Sequence, residues 1–356
     1  MCNPITVTDH SDPTLAKTAL SQDLVFGKIF ADLMFTARHD EVNGWHDAKI
    51  AAFQNLSISP AAKVFHYGLE IFEGHKVYRQ NDGGIALFRP RLNALRLNRS
   101  ASRMCLPEVP VDLQMEAVFA LVGRIKAWVP EEADSSLYLR PTLIGVESAL
   151  GIKPSREHLY FIIASPVGPY FKSKAASVTV RVEDETIRAA EGGSGFAKAG
   201  GNYGGGMMGK KRALDNGFDE VLWLDAKNRR TIEELGGMNA FVVKQGMLIT
   251  PPLSSTILDG ITRRSVLELA SHLGIPHSEE SIDINEMLLD IEKGRITEVM
   301  AVGTAAVITP VSRIGYKDRV VELQDGFGPV ARRLYQTLTD IQYGRSADPF
   351  GWMVRV

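Results

Sequence analysis

The sequence predicts a mixed α/β protein of two domains, and three observations lead there. The chain has 356 residues, more than one hydrophobic core comfortably serves. Short runs rich in Val, Ile, Leu, Tyr and Phe alternate with longer amphipathic stretches. One segment, Pro166-Val-Gly-Pro-Tyr-Phe-Lys-Ser-Lys174, breaks both patterns with two prolines and a glycine. The expected division is a smaller N-terminal domain at 1–166, a linker at 167–177 and a larger C-terminal domain at 178–356.

Within the first half, residues 64–67, 76–78 and 85–88 read as short strands around turns such as Asn81-Asp-Gly-Gly84. Residues 90–104 read as a helix. Leu92, Leu95, Leu97, Ala101 and Met104 fall near helical spacing, and Pro90 suits a first turn. A second helix spans 113–129 and stops at Pro130, and 136–142 and 159–165 are strands. In the second half, 178–182 alternates as a strand and 203–216 reads as a helix stopped by Gly217. Residues 220–224 and 230–234 are strands about a turn. Residues 262–273 form an amphipathic helix, 298–302 and 306–311 flank a Gly303-Thr304 turn, and 327–343 close the chain as a helix.

Composition excludes several classes of function. Forty basic residues stand against 42 acidic ones, a balance that gives no support to a nucleic-acid or anionic-membrane partner. With two cysteines, Cys2 and Cys105, neither a disulfide framework nor a cysteine zinc site is expected. No apolar run approaches spanning length and the first twenty residues lack an apolar signal core, so a cytoplasmic protein is expected. Two glycine motifs also fail on context. Gly204-Gly-Gly-Met-Met-Gly209 has dinucleotide-fingerprint spacing but follows Gly-Gly-Asn-Tyr, not an apolar strand. Gly204 to Lys210 has P-loop spacing, but Lys211 stands where a magnesium-binding hydroxyl is needed.

What remains is a set of residues with the chemistry of an aldehyde cofactor. Lys198 lies in Gly195-Phe-Ala-Lys-Ala-Gly-Gly-Asn-Tyr203, with apolar neighbours that favour burial and bare backbone beyond it. A desolvated lysine is a competent Schiff-base nucleophile, although a lone lysine in a loop is ordinarily a solvated one. Glu233 and Glu234 lie next to each other in a strand, so only one can face a pyridine nitrogen in need of a carboxylate. Arg89, the helix start Gly260-Ile261-Thr262 and the Gly303-Thr304 turn are candidate phosphate holders. Taken singly, each also reads as a surface arginine, a helix cap and a turn.

Together the segments resemble the fold-type IV pyridoxal-phosphate enzymes and, more narrowly, the branched-chain amino acid aminotransferases. The resemblance runs from Phe26-Gly-Lys-Ile-Phe-Ala-Asp32 to Ile341-Gln-Tyr-Gly344. Between them lie Phe72-Glu-Gly74, Leu87-Phe-Arg-Pro90, Tyr138-Leu-Arg-Pro-Thr142, Lys198-Ala-Gly-Gly-Asn-Tyr203, Glu234-Leu-Gly-Gly-Met-Asn239, Thr250-Pro-Pro-Leu253, Gly260-Ile-Thr-Arg-Arg264 and Gly303-Thr-Ala305. It implies pyridoxal 5'-phosphate as cofactor, with Lys198 as Schiff-base lysine and proton shuttle and Glu234, rather than Glu233, on the pyridine nitrogen. Tyr203 is implied at the ring oxygen, and Arg89, Ile261, Thr262 and Thr304 at the phosphate. The implied reaction is reversible ping-pong transfer between leucine, isoleucine or valine and 2-oxoglutarate.

For the substrate, the resemblance implies aromatic pocket positions at Phe30, Tyr67, Phe72, Tyr138 and Tyr170. Backbone amides near Gly237 and Ala305 would hold the carboxylate with help from Tyr67, and Arg140 would accept the glutamate side chain. Leu150 and Ile152 would reach a partner subunit's site, which implies a homodimer. The chain departs from relatives in two places. Thr304-Ala-Ala-Val-Ile-Thr309 lacks the cysteine pair of mammalian enzymes, and Gly237 stands where some relatives have threonine. The open alternatives are a D-amino acid aminotransferase or aminodeoxychorismate lyase of the same fold, or an idle pyridoxal-phosphate-binding protein.

Overall fold

A computed structural model describes residues 4–132, 134–168 and 177–356. The chain forms two compact units. One comprises 1–170, 197–200 and 341–356, the other 171–196 and 201–340. This differs from the expected division in two places. The segment around Lys198 belongs to the first unit because Ala199 bridges Ile71 and the Phe72 N–H donates to the Lys198 carbonyl at 2.9 Å. The C-terminal residues belong there because the strand Met353–Arg355 pairs with Ile85–Phe88. The expected linker lies mostly outside the described residues, as does Tyr170.

The first unit is built on a nine-stranded, almost wholly antiparallel sheet. Its longest pairing joins Ser136–Gly145 to Glu157–Val167. Beyond Ile162 the latter strand loses its ladder with Leu33–Asp40, so Pro166 sits where only one neighbour needs hydrogen bonds. Helices Pro90–Arg103 and Val111–Arg124 cover the core through Leu97, Ala101, Leu113, Ala117 and Leu121. Residues 64–67, expected as a strand, lie in the helix Lys63–Tyr67. Four residues cannot reveal a period of 3.6, and Gly68 ends this turn in the left-handed region at φ 59°, its N–H on the Val64 carbonyl.

In the second unit a chain of pairings closes on itself. Ile232–Leu235, Glu220–Leu224, Val178–Glu183, Val307–Tyr316, Ile296–Gly303 and Met238–Lys244 form a ring of strands, because Met238–Lys244 pairs back onto Ile232–Leu235. Closure removes exposed strand edges. Val178, Val180, Val182, Leu222 and Leu224 join one apolar cluster, while Val221 and Trp223 on the opposite faces pack with Ala213 and Phe218. The helix expected over 203–216 is broken into Gly200–Gly204 and Met207–Asp215. Its Gly206 and Gly209 pack on Trp223. A Cβ on Gly209 would lie 2.6 Å from the Trp223 ring, so only glycine lets the helix approach that strand. Gly204–Gly209 follows a helix and not a strand, which also removes the dinucleotide reading.

The first unit buries histidines that its sequence did not advertise. His39 and His158 face each other across adjacent strands, ring centroids 5.5 Å apart, and neither ring nitrogen of His158 has a hydrogen-bond partner. Burial, helped by the neighbouring His39, pushes His158 down to about 4, and burial takes His75 to about 4 as well. Both folded values lie below the ordinary 6.5, so the unfolded chain binds protons first and stability falls as pH drops from 6.5 toward 4. Each imidazole contributes a slope of up to about 1.4 kcal/mol per pH unit in that window. Urea titrations at stepped pH should show this loss, and His158→Leu should flatten it. An unchanged slope in that variant removes His158 from the explanation.

Candidate active site

Lys198 is held by its backbone. Its N–H donates to Ser100 Oγ at 2.9 Å, its carbonyl accepts from Phe72, and the flanking Ala197 and Ala199 are buried in the first unit's core. The side chain is half-buried, with Nζ 4.6 Å from the centroid of Phe72. The same ring lies 4.5 Å from the Arg140 guanidinium, and Arg140 Nη2 donates to the Tyr138 hydroxyl at 3.0 Å. Four expected site residues, Lys198, Phe72, Tyr138 and Arg140, therefore meet around one aromatic ring.

Beneath them lies an ion pair absent from the sequence-based expectations. Glu73 is fully buried and takes Arg96 Nε and Nη2 at 2.7 and 2.9 Å and Asn93 Nδ2 at 2.8 Å. Burial opposes its ionisation, yet Arg96, with smaller help from Lys198 and Asn93, holds the carboxyl down at about 2. The pair is tied to the lysine twice. Ser100, which receives the Lys198 N–H, donates to the Arg96 carbonyl, and Glu73 follows Phe72, whose N–H donates to Lys198. Glu70 lies close by. Burial raises its carboxyl, against a hydrogen bond from the Gly200 N–H and the charges of Arg140 and Lys198.

The remaining first-unit candidates are more scattered. Phe30 stacks on Phe53 at 5.2 Å. Tyr67 donates its hydroxyl to the Leu150 carbonyl, which joins two expected substrate residues, while Ile152 is exposed. Arg89 takes a left-handed conformation at the start of helix Pro90–Arg103, with its guanidinium 5.0 Å from the Trp352 centroid.

The second unit gathers the others at one end of neighbouring strands. Both Glu233 and Glu234 are buried, so neither is a surface charge. They point to different partners, as adjacent strand residues must. Glu233 accepts from Thr256 Oγ1 at 2.5 Å, its other oxygen lacks a partner, and burial raises its carboxyl. Glu234 accepts the Leu258 N–H at 2.7 Å and lies 3.3 Å from Arg188 Nε. Asn239, opposite Glu234 in the hairpin, donates to the Leu258 carbonyl at 2.9 Å. The hairpin thus grips both backbone groups of Leu258 and fixes the approach to helix Ile261–His272.

That helix begins at Gly260 without a side-chain cap, and Ile261 and Thr262 form its buried first turn. Its first N–H groups and dipole suit an anion. Gly237 packs against Tyr203, where an added Cβ would come within 3.1 Å of the ring. Gly303 packs on Met238 in the same way, which sets the Thr304-Ala305 turn beside the hairpin. Arg188, Thr256 and Leu258 were not legible in the sequence, because each acts through a contact that no local motif records.

The donor set fits pyridoxal 5'-phosphate. The first unit offers a backbone-anchored lysine suited to an aldehyde, and the second a buried carboxylate suited to a ring nitrogen and an uncapped helix start suited to a phosphate. Among the described residues, no group of His, Cys, Asp or Glu side chains could hold a metal ion, and no helix is long and apolar enough to cross a membrane.

The family model described as amino-transferase class IV matches residues 70–314. The chain is 45% identical to the branched-chain-amino-acid transaminase 1 of Bacillus subtilis over 335 residues, 94% of either chain. It resembles the crystal structure of the Thermoproteus uzoniensis branched-chain aminotransferase with norvaline, with a TM-score of 0.75, 29% identity and 91% and 99% of the two chains covered. It also resembles the branched-chain amino acid aminotransferase of Thermobaculum terrenum in its PLP-bound holo form, with a TM-score of 0.74, 25% identity and 90% and 97% covered. The chain belongs to the class IV aminotransferases, which use pyridoxal 5'-phosphate, and within them to the branched-chain amino acid aminotransferases.

Proposed function

We propose that this protein transfers amino groups between leucine, isoleucine or valine and 2-oxoglutarate, as a cytoplasmic homodimer. The observation that carries the reading is the lysine pinned through both backbone polar groups beside Phe72, Arg140 and Tyr138. Such anchoring fixes the backbone from which the Lys198 amine reaches out, as a positioned proton carrier requires.

When bound, pyridoxal 5'-phosphate supplies an electron sink for the carbanion at the substrate Cα. The chain supplies the rest. Lys198 Nζ would take the proton from the substrate Cα and deliver it to the cofactor's C4′ carbon, and the reverse half-reaction would run the same transfer backwards. Glu234 would hold the ring nitrogen, Tyr203 the ring oxygen, and Arg89, Ile261, Thr262 and Thr304 the phosphate. Backbone amides at Gly237 and Ala305 hold the substrate carboxylate. Phe30, Phe72 and Tyr138 would supply apolar surface suited to a branched side chain. Arg140 is a fixed cation for the glutamate side chain, so one pocket serves both substrates.

The test is the visible spectrum of purified, cofactor-loaded protein with L-leucine or D-alanine. L-Leucine should bleach the long-wavelength band and yield the 2-oxo acid, and D-alanine should do neither. Response to D-alanine alone moves the protein to the D-amino acid branch.

A further inference from the structure

Lys63 is a lysine buried to 2% exposure in the first turn of helix Lys63–Tyr67. Its ammonium spends three donors within one loop: on Glu147 Oε2 at 2.8 Å, on the Lys153 carbonyl at 2.9 Å and on the Pro154 carbonyl at 3.0 Å. An ammonium has only three. The partner carboxylate turns back on the same loop, taking the Arg156 N–H at 3.0 Å, and its own carboxyl is held low, first by the Lys63 hydrogen bond. Ala149 N–H on the Ala61 carbonyl and Ser148 on Ser59 complete the seam.

Both ends of a short irregular loop are therefore stapled to one buried charge. The loop between the staples carries Leu150 and Ile152, exposed at 63% and 87%. Apolar side chains so exposed would ordinarily let a loop collapse or fray. Here the polar backbone beneath them is fixed. The Leu150 carbonyl, set by that staple, receives the hydroxyl of Tyr67 from the far end of the same helix.

We propose that Lys63 and Glu147 are positioning residues for substrate affinity: their buried pair sets the loop that presents Leu150 and Ile152 and orients Tyr67. This rests on the branched-chain reading above. The pair touches neither substrate nor cofactor in this scheme, so its loss acts on binding and leaves the chemistry of Lys198 intact.

The test is steady-state kinetics of cofactor-loaded Lys63→Met with L-leucine varied. KM should rise about tenfold with kcat within about twofold, and the bound cofactor's absorbance should be unchanged. Tyr67→Phe should raise KM in the same direction, and adding Lys63→Met to it should have little further effect, because the two act through one contact. Should Lys63→Met not fold, Glu147→Gln keeps the hydrogen-bond geometry without the charge and should raise KM about threefold. A folded variant with wild-type KM, or a uniform loss in kcat with KM unmoved, overturns the proposal. Wild-type protein that does not turn over L-leucine at all overturns the functional reading instead.

Discussion

Lys198→Ala should abolish transamination, with kcat lowered by at least about 10³-fold, because both proton transfer and nucleophilic attachment are lost with one amine. The structure makes this a clean test. The contacts that hold the segment are backbone ones, the Lys198 N–H on Ser100 Oγ and the carbonyl under the Phe72 N–H, and alanine keeps both. The buried neighbours Ala197 and Ala199 are unchanged. The variant should thus melt near the wild-type temperature and leave the Glu73–Arg96 pair in place. It should still bind pyridoxal phosphate through the remaining contacts, without the wild-type visible band. Steady-state turnover near the wild-type rate in that variant would remove Lys198 from the reaction. A large drop in melting temperature would show that the side chain has a structural role that the backbone contacts do not reveal.

The residues proposed for the chemistry stand out in the sequence and their attachment does not, for a physical reason. Lys198 and Glu234 announce themselves because each needs a local backbone form: bare glycines after the lysine, and a tight Gly236-Gly237 hairpin after the glutamate. Strand alternation alone dictates that Glu233 and Glu234 face different ways, and they do, toward Thr256 and toward Leu258. The contacts that place Lys198 in the first unit are to Ile71, Phe72 and Ser100, the last 98 residues away in the chain. No local periodicity encodes such a contact. The same holds for Arg188 against Glu234, for Trp223 against Gly209, and for Lys63, whose partners are loop carbonyls ninety residues on. The helix Lys63–Tyr67 is too short to show a helical period, and the one expected over 203–216 is interrupted at Gly205 and Gly206, the second of which packs on Trp223.

The second large effect separates two adjacent acids. Glu234→Gln should lower kcat/KM by on the order of 10²-fold, and Glu233→Gln by no more than about threefold. Glutamine at 234 can still accept the Leu258 N–H, so the hairpin and the start of helix Ile261–His272 should stand. What it could not supply is the negative charge that the proposed role sets opposite a protonated ring nitrogen, and the electron sink would weaken with that proton. The case of Glu233 is different. Burial raises its carboxyl, one oxygen accepts from Thr256 and the other has no partner, so a neutral amide of the same shape is a small change. The loss in Glu234→Gln should appear in kcat together with a shift in the cofactor's absorbance, while Glu233→Gln keeps the wild-type spectrum. Equal losses in the two variants would mean that the strand register assigned to the cofactor is off by one residue. Because a one-residue slip carries every side chain to the opposite face, such a result would also reassign Thr256 and Leu258, and with them the helix start proposed to hold the phosphate.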